Sequence, residues 1–464
     1  MPARIPRATG FGAGPRAYPA KTLCDSRRII ADERSCTSFA SKKKILSAAK
    51  ENQEPSLTSN HRPERDRALN WSVFIMRKLT FTCLAMLCPA AVLAQASPQP
   101  EATATTSGPS AWVYVSSMIG TTARSDVYGY TASSTGTLSA ISGSPFPADL
   151  SSMAVNGLYL FGAPVSGSLI DTYRIESNGA LHLVASTNAS APNKCANTPG
   201  PVFLDHTGAT LYDFYYWGDS ICSNSVYQSW NVVKSSGSLA YVGAAGGNQE
   251  LTGVLSFIGN NAYGYTSDCY HSGSAISGFK RNSNGSLTEL TINAPWPTAP
   301  SGEFYCPYLA AADPTNHLAI PVFPCAGGPC GGPAGPWQLA VYTVQSNGQV
   351  TTTSTYANMP KVAVGSVTSV QMAPSGKLLA VAGTGGLQVF HFNGASPITA
   401  YTGLLTTSEV DQMFWDNTNH LYAIGTSANK LWVFTITPTT HTLTATYSIN
   451  KPVGMIVQPL PLPW

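Results

Sequence analysis

The chain has 464 residues and a formal charge of +3, unevenly spread. Residues 1–75 hold 14 Lys or Arg against 7 Asp or Glu, whereas residues 97–464 hold 10 against 16, a formal charge of −6. Beyond residue 96 there is no basic stripe for nucleic acid and no polybasic cluster for an anionic membrane surface, so neither partner is expected.

Residues 1–75 show little apolar periodicity and read as a non-native or disordered extension. Next comes MRKLTFTCLAMLCPAAVLAQA, residues 76–96. Arg77 and Lys78 precede an apolar core from Leu79 to Leu93, and Ala94-Gln95-Ala96 is a small-x-small site, which together form an export-signal pattern with Met76 as the expected start. The core is short of the roughly 20 apolar residues that a membrane span needs. The alternative reading is a basic arm ahead of a buried helix. Residues 97–110, SPQPEATATTSGPS, read as a polar linker.

From residue 111 onward, short alternating runs are bounded by Gly, Asn, Ser and Pro, which is the all-β signal. Two phrases alternate. One is strand, polar turn, strand, as in IDTYRIESNGALHLV (170–184), ISGFKRNSNGSLTEL (276–290) and LAVYTVQSNGQVTTT (339–353). It occurs seven times, with Leu138, Leu181, Leu239, Leu287, Val350, Ile398 and Leu443 as the expected apolar anchors after the turn. The other lies between consecutive copies, as in VFLDHTGATLYDF (202–214) and MFWDNTNHLYAIG (413–425). Together they make a four-stranded unit, A-B-C-D, of propeller-blade length. WVYVSS (111–116) is a B strand with no A strand before it, and VGMIVQP (453–459) is an A-like strand with nothing after it. Joining the two closes a seven-bladed, all-β propeller over residues 111–460. A six- or eight-bladed ring and a stacked sandwich are the alternatives.

In the first blade, Tyr114-Val115, Val127 to Tyr130, Thr135 to Leu138 and Gly143 to Phe146 follow one another. This order resembles the opening blade of the lactonase-like seven-bladed propellers, which include YVTN-type repeat proteins and relatives of 6-phosphogluconolactonase. The resemblance implies the fold. In lactone-opening relatives it also implies His, Arg and acidic groups at the channel mouth. No motif here aligns with those groups residue by residue, and beyond residue 96 the chain has only Arg124, Arg174 and Arg281.

Blade order sends the D–A and B–C connections to one face. Long connections are expected there at 187–200, 216–225, 243–253, 266–275, 293–307 and 323–337, and they carry all six cysteines beyond residue 96. Their placement suggests disulfides Cys195–Cys222, Cys269–Cys306 and Cys325–Cys330, in keeping with export to the periplasm or medium. Trp217, Asp219, Tyr270, Trp296, Tyr305 and Trp337 are the expected ligand contacts, because aromatics with a few carboxylates suit sugars and small polar molecules. His271 with Asp268 and Glu303 is the candidate catalytic set, as a general base beside acids. His317 and His420 share a TNHL turn and read as turn residues. No cofactor or metal is expected: CAGGPC lacks a second ligand pair, and phosphate-loop, nucleophile-elbow and dinucleotide motifs are missing. The expected protein is an exported monomer that binds a small polar molecule, glycan or protein partner at this face. The alternative is a lactonase-type hydrolase.

Overall fold

A computed structural model describes residues 108–119, 125–164, 167–189, 199–218, 223–246, 253–270, 273–300, 303–326 and 335–461. The expected extension and signal segment lie outside them. Seven antiparallel sheets follow one another, and all but one have four strands. Blade 2, for example, runs Ser152–Val155, Tyr159–Ala163, Leu169–Ile175 and Leu181–Asn188 as strands A to D. Blade 1 is composite. Its B, C and D strands are Ala111–Met118, Ser125–Ala132 and Leu138–Ala140, and its A strand is Pro452–Pro459 from the far end of the chain. Trp112 lies opposite Gln458 and Ser116 opposite Gly454, which is the expected closure.

The core is not one mass but seven layers, one between each pair of neighbouring blades. A four-stranded sheet has two apolar faces, and only a ring buries both faces of every sheet. The layer between blades 7 and 1 packs Tyr422, Ile424, Leu431 and Val433 against Val113, Val115, Met455 and Val457. Burying each such side chain is worth about 1.5–3 kcal/mol, so the terminal strand stabilises the ring at the point where the chain is open. Polar contacts stitch the inner strands together. Val202 N donates to Ser152 Oγ (3.0 Å), Ala312 N to Ser256 Oγ (2.7 Å) and Met455 N to Gln412 Oε1 (2.9 Å).

The recurrent S-N-G turn has a physical cause. Tyrosines on B strands donate their hydroxyls across to the C–D turn glycine carbonyl of the next blade. The pairs are Tyr114 to Gly179 (2.8 Å), Tyr212 to Gly285 (2.9 Å) and Tyr265 to Gly348 (2.8 Å). Gly179 and Gly348 both have φ 84°, where side chains are disfavoured. A Cβ at Gly348 would also come within 2.7 Å of Leu290 Cδ1. The glycine thus satisfies the turn and admits the neighbouring blade.

The TNHL turns are held by buried aspartates. Asp416 accepts from the backbone N–H groups of Thr418 (2.7 Å) and His420 (2.9 Å), from His420 Nδ1 (2.7 Å) and from the hydroxyls of Thr418 (2.8 Å) and Tyr422 (3.1 Å). Asp313 binds Thr315 and His317 in the same way. His317 and His420 are therefore turn residues, as expected.

One anchor departs from the pattern. Leu443 is 55% exposed. Its turn has no glycine and closes through Thr437 N to Thr440 O (2.8 Å), and the first paired residue after it is His441, opposite Ile436. Leu443 lies two residues further on, opposite Phe434, and matches the exposed Leu183 opposite Tyr173 in blade 2 instead of the buried anchors.

Candidate functional site

The B–C hairpins set the relief of one face. In blade 6 the B strand, Leu378–Gly383, ends at its last A-strand partner, and Gly383 pairs directly with Gly386 across the turn. In blade 7 a single residue, Gly425, extends past the last partner, Ile424. Blades 3 to 5 differ. Their B strands are Thr210–Gly218, Tyr263–Tyr270 and His317–Ala326, and their last A-strand partners are Asp213, Tyr265 and Ala319. Five, five and seven residues therefore run on beyond the inner ring. At about 3.3 Å per residue, these overhangs form a wall over one part of the ring.

Much of what the sequence suggested as loop is thus strand. Segments 216–225 and 266–275 are largely paired hairpin, and Glu303–Pro307 adds a fifth strand to blade 5 along the overhang of His317–Ala326. Gly, Ser and Cys mark loops in a sequence, but two antiparallel strands satisfy their backbones whatever side chains they carry.

The wall is tied across blades. A Cys269–Cys306 disulfide, Cα atoms 5.0 Å apart, joins the blade 4 overhang to the added strand of blade 5. Beside it, Leu309 N donates to Ser267 O (3.0 Å), and Ser267 Oγ donates back to Leu309 O. Cys325 is buried at the end of its strand. Its expected partner Cys330 lies outside the described residues, as do Cys195, Cys222, Asp219 and His271; the side chains of Trp217 and Tyr270 lie outside them too.

The remaining candidates separate into three groups. Asp268 lies beside the disulfide, with Cys269 N donating to its Oδ1 at 2.7 Å. Burial, and then the Asp268 charge, raise the pKa of Tyr308. Tyr308 stands edge-on to Trp337 at 6.4 Å, and Trp337 packs on Phe323 at 4.5 Å. Asp268, Tyr308, Phe323 and Trp337 therefore share one part of the wall. Glu303 is three residues before Cys306 on the added strand, roughly 10 Å along it, so it is offset from Asp268. Tyr305 is 1% exposed, and its hydroxyl donates to Gln338 Oε1 at 3.1 Å. It packs in the layer between blades 4 and 5 with Ile320, Val322 and Tyr342.

Trp296 belongs to a groove on the rim of blade 4. The groove has a volume of about 520 Å³ and is lined by Ala275, Ile276, Glu289, Leu290, Thr291, Asn293 and Trp296 among others. Trp296 is half-buried and stands edge-on to the buried Tyr342 at 6.1 Å. Burial raises the pKa of Glu289 above its ordinary value. Glu289 was not among the sequence candidates, yet the repeat marks it. At the D-strand position opposite the matching C-strand aromatic, the other blades carry Ala140, Leu183, Tyr241, Thr352, Ala400 and Leu443, so blade 4 alone places an acid there.

A second acid lies deeper. Asp213 is 0% exposed on the blade 3 B strand. Trp230 Nε1 donates to its Oδ1 at 2.9 Å, while Oδ2 has no hydrogen-bond partner among the described residues. Burial pushes its pKa up to about 7.

No protein-family model matches the chain, and no curated protein matches it. Among solved structures it is similar to a protein from Bacteroides fragilis assigned as a 6-phosphogluconolactonase, with TM-score 0.54 and 14% identity over 76% of this chain and 99% of that one. It is similar to the periplasmic gluconolactonase PpgL of Pseudomonas aeruginosa, with TM-score 0.54 and 13% identity over 76% and 99%. These likenesses show the fold, a lactonase-like seven-bladed propeller.

Proposed function

We propose that the protein is an exported propeller that binds a small polar ligand, glycan or protein partner on the side raised by blades 3 to 5. The observation that carries this reading is the asymmetry of the hairpins. A ring needs only the tight turns of blades 6 and 7, so the extended hairpins of blades 3 to 5, with blades 4 and 5 tied by a disulfide, serve something besides closure. Long connections on a rigid scaffold are where binding residues concentrate. A wall fixed before binding also loses less entropy when a ligand arrives. Export is supported by the signal pattern and by a disulfide of a kind that persists in oxidising compartments.

Screening the purified protein against glycan and small-molecule panels tests the reading, with Trp337→Ala and Cys269→Ser/Cys306→Ser as variants. Loss of a detected interaction in both variants is expected. Unchanged affinity in both removes the wall from the binding site. Cell fractionation with N-terminal sequencing tests export, with a start at residue 97 expected.

A second reading is lactone hydrolysis, favoured by the gluconolactonase named among the structural neighbours. Asp268, on this side, and His271, from the sequence reading, are its candidates. Release of acid from glucono-δ-lactone, lost in Asp268→Asn and His271→Ala, supports that reading; equal turnover in both variants removes it.

A further inference from the structure

We propose that Asn393 is a self-modification site, where the chain converts asparagine to aspartate or isoaspartate through attack by its own Gly394 nitrogen. The chain holds five Asn-Gly steps, at Asn156, Asn178, Asn284, Asn347 and Asn393. Such a step is open to this cyclisation because glycine has no side chain to keep its nitrogen from the asparagine carbonyl. The fold closes four of the five.

Asn178, Asn284 and Asn347 lie in the C–D turns of blades 2, 4 and 5. Each side-chain Oδ1 accepts from the N–H two residues on, at 3.1, 3.1 and 3.0 Å. The attacking N–H is committed too: Gly179 N donates to Glu176 O (2.8 Å), Gly285 N to Asn282 O (2.9 Å) and Gly348 N to Gln345 O (2.9 Å). All three glycines are buried, each under a tyrosine of the preceding blade. Asn156 is held differently. Its Oδ1 accepts from Leu158 N and Tyr159 N, its Nδ2 donates to Gly208 O of blade 3 at 3.0 Å, and Gly157 is buried.

Asn393 has neither lock. It ends the C strand of blade 6, Gly386–Asn393, and the two-residue turn Gly394-Ala395 separates it from Ser396, its cross-strand partner. Asn393 is exposed and Gly394 half-exposed. Among the described residues, which run unbroken here from 335 to 461, the Gly394 N–H has no acceptor and Asn393 Oδ1 has no donor. The side chain bonds only through Nδ2, to Pro397 O (2.9 Å) and Thr399 Oγ1 (3.4 Å), and that nitrogen is the leaving group. In the step, Gly394 N gives its proton to solvent and attacks Asn393 Cγ. The Cγ–Nδ2 bond breaks, and Nδ2 leaves as ammonia with a proton from water. Water then opens the five-membered imide at one or other carbonyl, which leaves aspartate or isoaspartate. Either product puts a negative charge on the turn that packs against blade 5, where the His317 ring lies 3.4 Å from the place a Gly394 Cβ would take. Isoaspartate also adds a main-chain carbon next to a two-residue turn.

The test ages the intact protein in mildly alkaline buffer and follows each asparagine by peptide mass spectrometry, which reads a gain of about 1 Da on conversion. An isoaspartate-specific methyltransferase reads the second product. Asn393 should convert about tenfold or more faster than Asn178, Asn284 and Asn347, since each of those must first free a bonded, buried N–H. Asn156 should also lag, because its side chain must first leave three hydrogen bonds. In urea the five rates should converge, because the step in sequence is the same and the fold alone separates them. Asn393→Gln, whose longer side chain disfavours the ring, should abolish the product at this turn and leave the other four rates unchanged. Conversion at Asn393 no faster than in the three C–D turns of the folded protein overturns the proposal. So does a lead of Asn393 that persists undiminished in urea, which would assign it to neighbouring sequence and not to the fold. An isoaspartate yield of the whole protein that Asn393→Gln leaves unchanged overturns it as well.

Discussion

Blade 7 and blade 3 each bury an aspartate, and the two carboxyls are opposite in character. Asp416 is 1% exposed, and five donors converge on its two oxygens. Burial alone would raise its pKa, but the hydrogen bonds from the His420 side chain and backbone, its charge and the Thr418 hydroxyl outweigh burial and hold it below the ordinary value. Asp213 has one bond from Trp230 and an oxygen without a partner among the described residues, and burial wins. The same residue type therefore does two things within one repeat. In blade 7, with its tight hairpin, the acid is fully used to shape a turn and contributes to closing the ring. In blade 3, at the foot of the raised wall, the acid is a net cost to folding at neutral pH.

The largest expected effect is in blade 7. Asp416→Ala leaves two backbone N–H groups, a histidine and a buried tyrosine hydroxyl without their acceptor, and it should cost about 3–5 kcal/mol in urea unfolding. The pH dependence has a definite sign. Because the folded pKa is depressed, the stabilisation is present above the unfolded value near 4 and is lost as pH falls through the folded value. The wild type should therefore lose stability steeply below about pH 4, with a shallower acid limb in the variant. A cost under about 1 kcal/mol would place Asp416 with Asp213 and erase the contrast.

Blade 3 should show the opposite slope. A carboxyl with a raised folded pKa holds its proton more tightly in the native state, so stability falls as pH rises from about 4 to about 7 and then levels off. Asp213→Asn removes that titration. Measured at pH 5 and pH 8, the variant should gain on the wild type at the higher pH by a few kcal/mol. Parallel stability curves for the two proteins would show that Asp213 is satisfied by something outside the described residues.

The blades could be read from sequence because each repeated residue answers a repeated contact. The turn glycine recurs where a neighbouring tyrosine reaches its carbonyl, as at Gly179, Gly285 and Gly348. The closing strand could be read because WVYVSS lacks a partner that VGMIVQP supplies. The wall was harder to read. Its strands are polar and rich in Gly and Ser, and nothing in period-2 alternation separates an overhanging hairpin from a loop. Trp296 and Trp337 were visible as aromatics in long connections, and Asp268 as an acid beside a cysteine. Tyr305 looked the same and turned inward, because side-chain direction depends on pairing with His317–Ala326, which composition does not reveal. Glu289 and Asp213 were legible only as departures: one acid among seven equivalent D strands, and one acid inside the aromatic run LYDFYY.

The smallest expected effect separates two leucines that follow the C–D turn in the two regions. Leu287 in blade 4 is the first paired residue, opposite Arg281, and is buried, whereas Leu443 in blade 7 is the third, opposite Phe434, and is exposed. The glycine turn of blade 4 presents Leu287 to the layer between blades 3 and 4. In blade 7 the threonine turn puts His441 at that first position, and Leu443 takes the outward place that the exposed Leu183 holds in blade 2. Leu443→Ser removes little buried surface and should change unfolding stability by no more than about 0.5 kcal/mol. Inserting a glycine turn into blade 7, with Gly in place of Thr439, should not bury Leu443 as long as it stays opposite Phe434, because pairing sets which face each side chain takes. Denaturant midpoints for the two variants check this. A loss above 1 kcal/mol in Leu443→Ser would mean that the outer strand of blade 7 packs as that of blade 4 does, and that register, not turn chemistry alone, had been misassigned there.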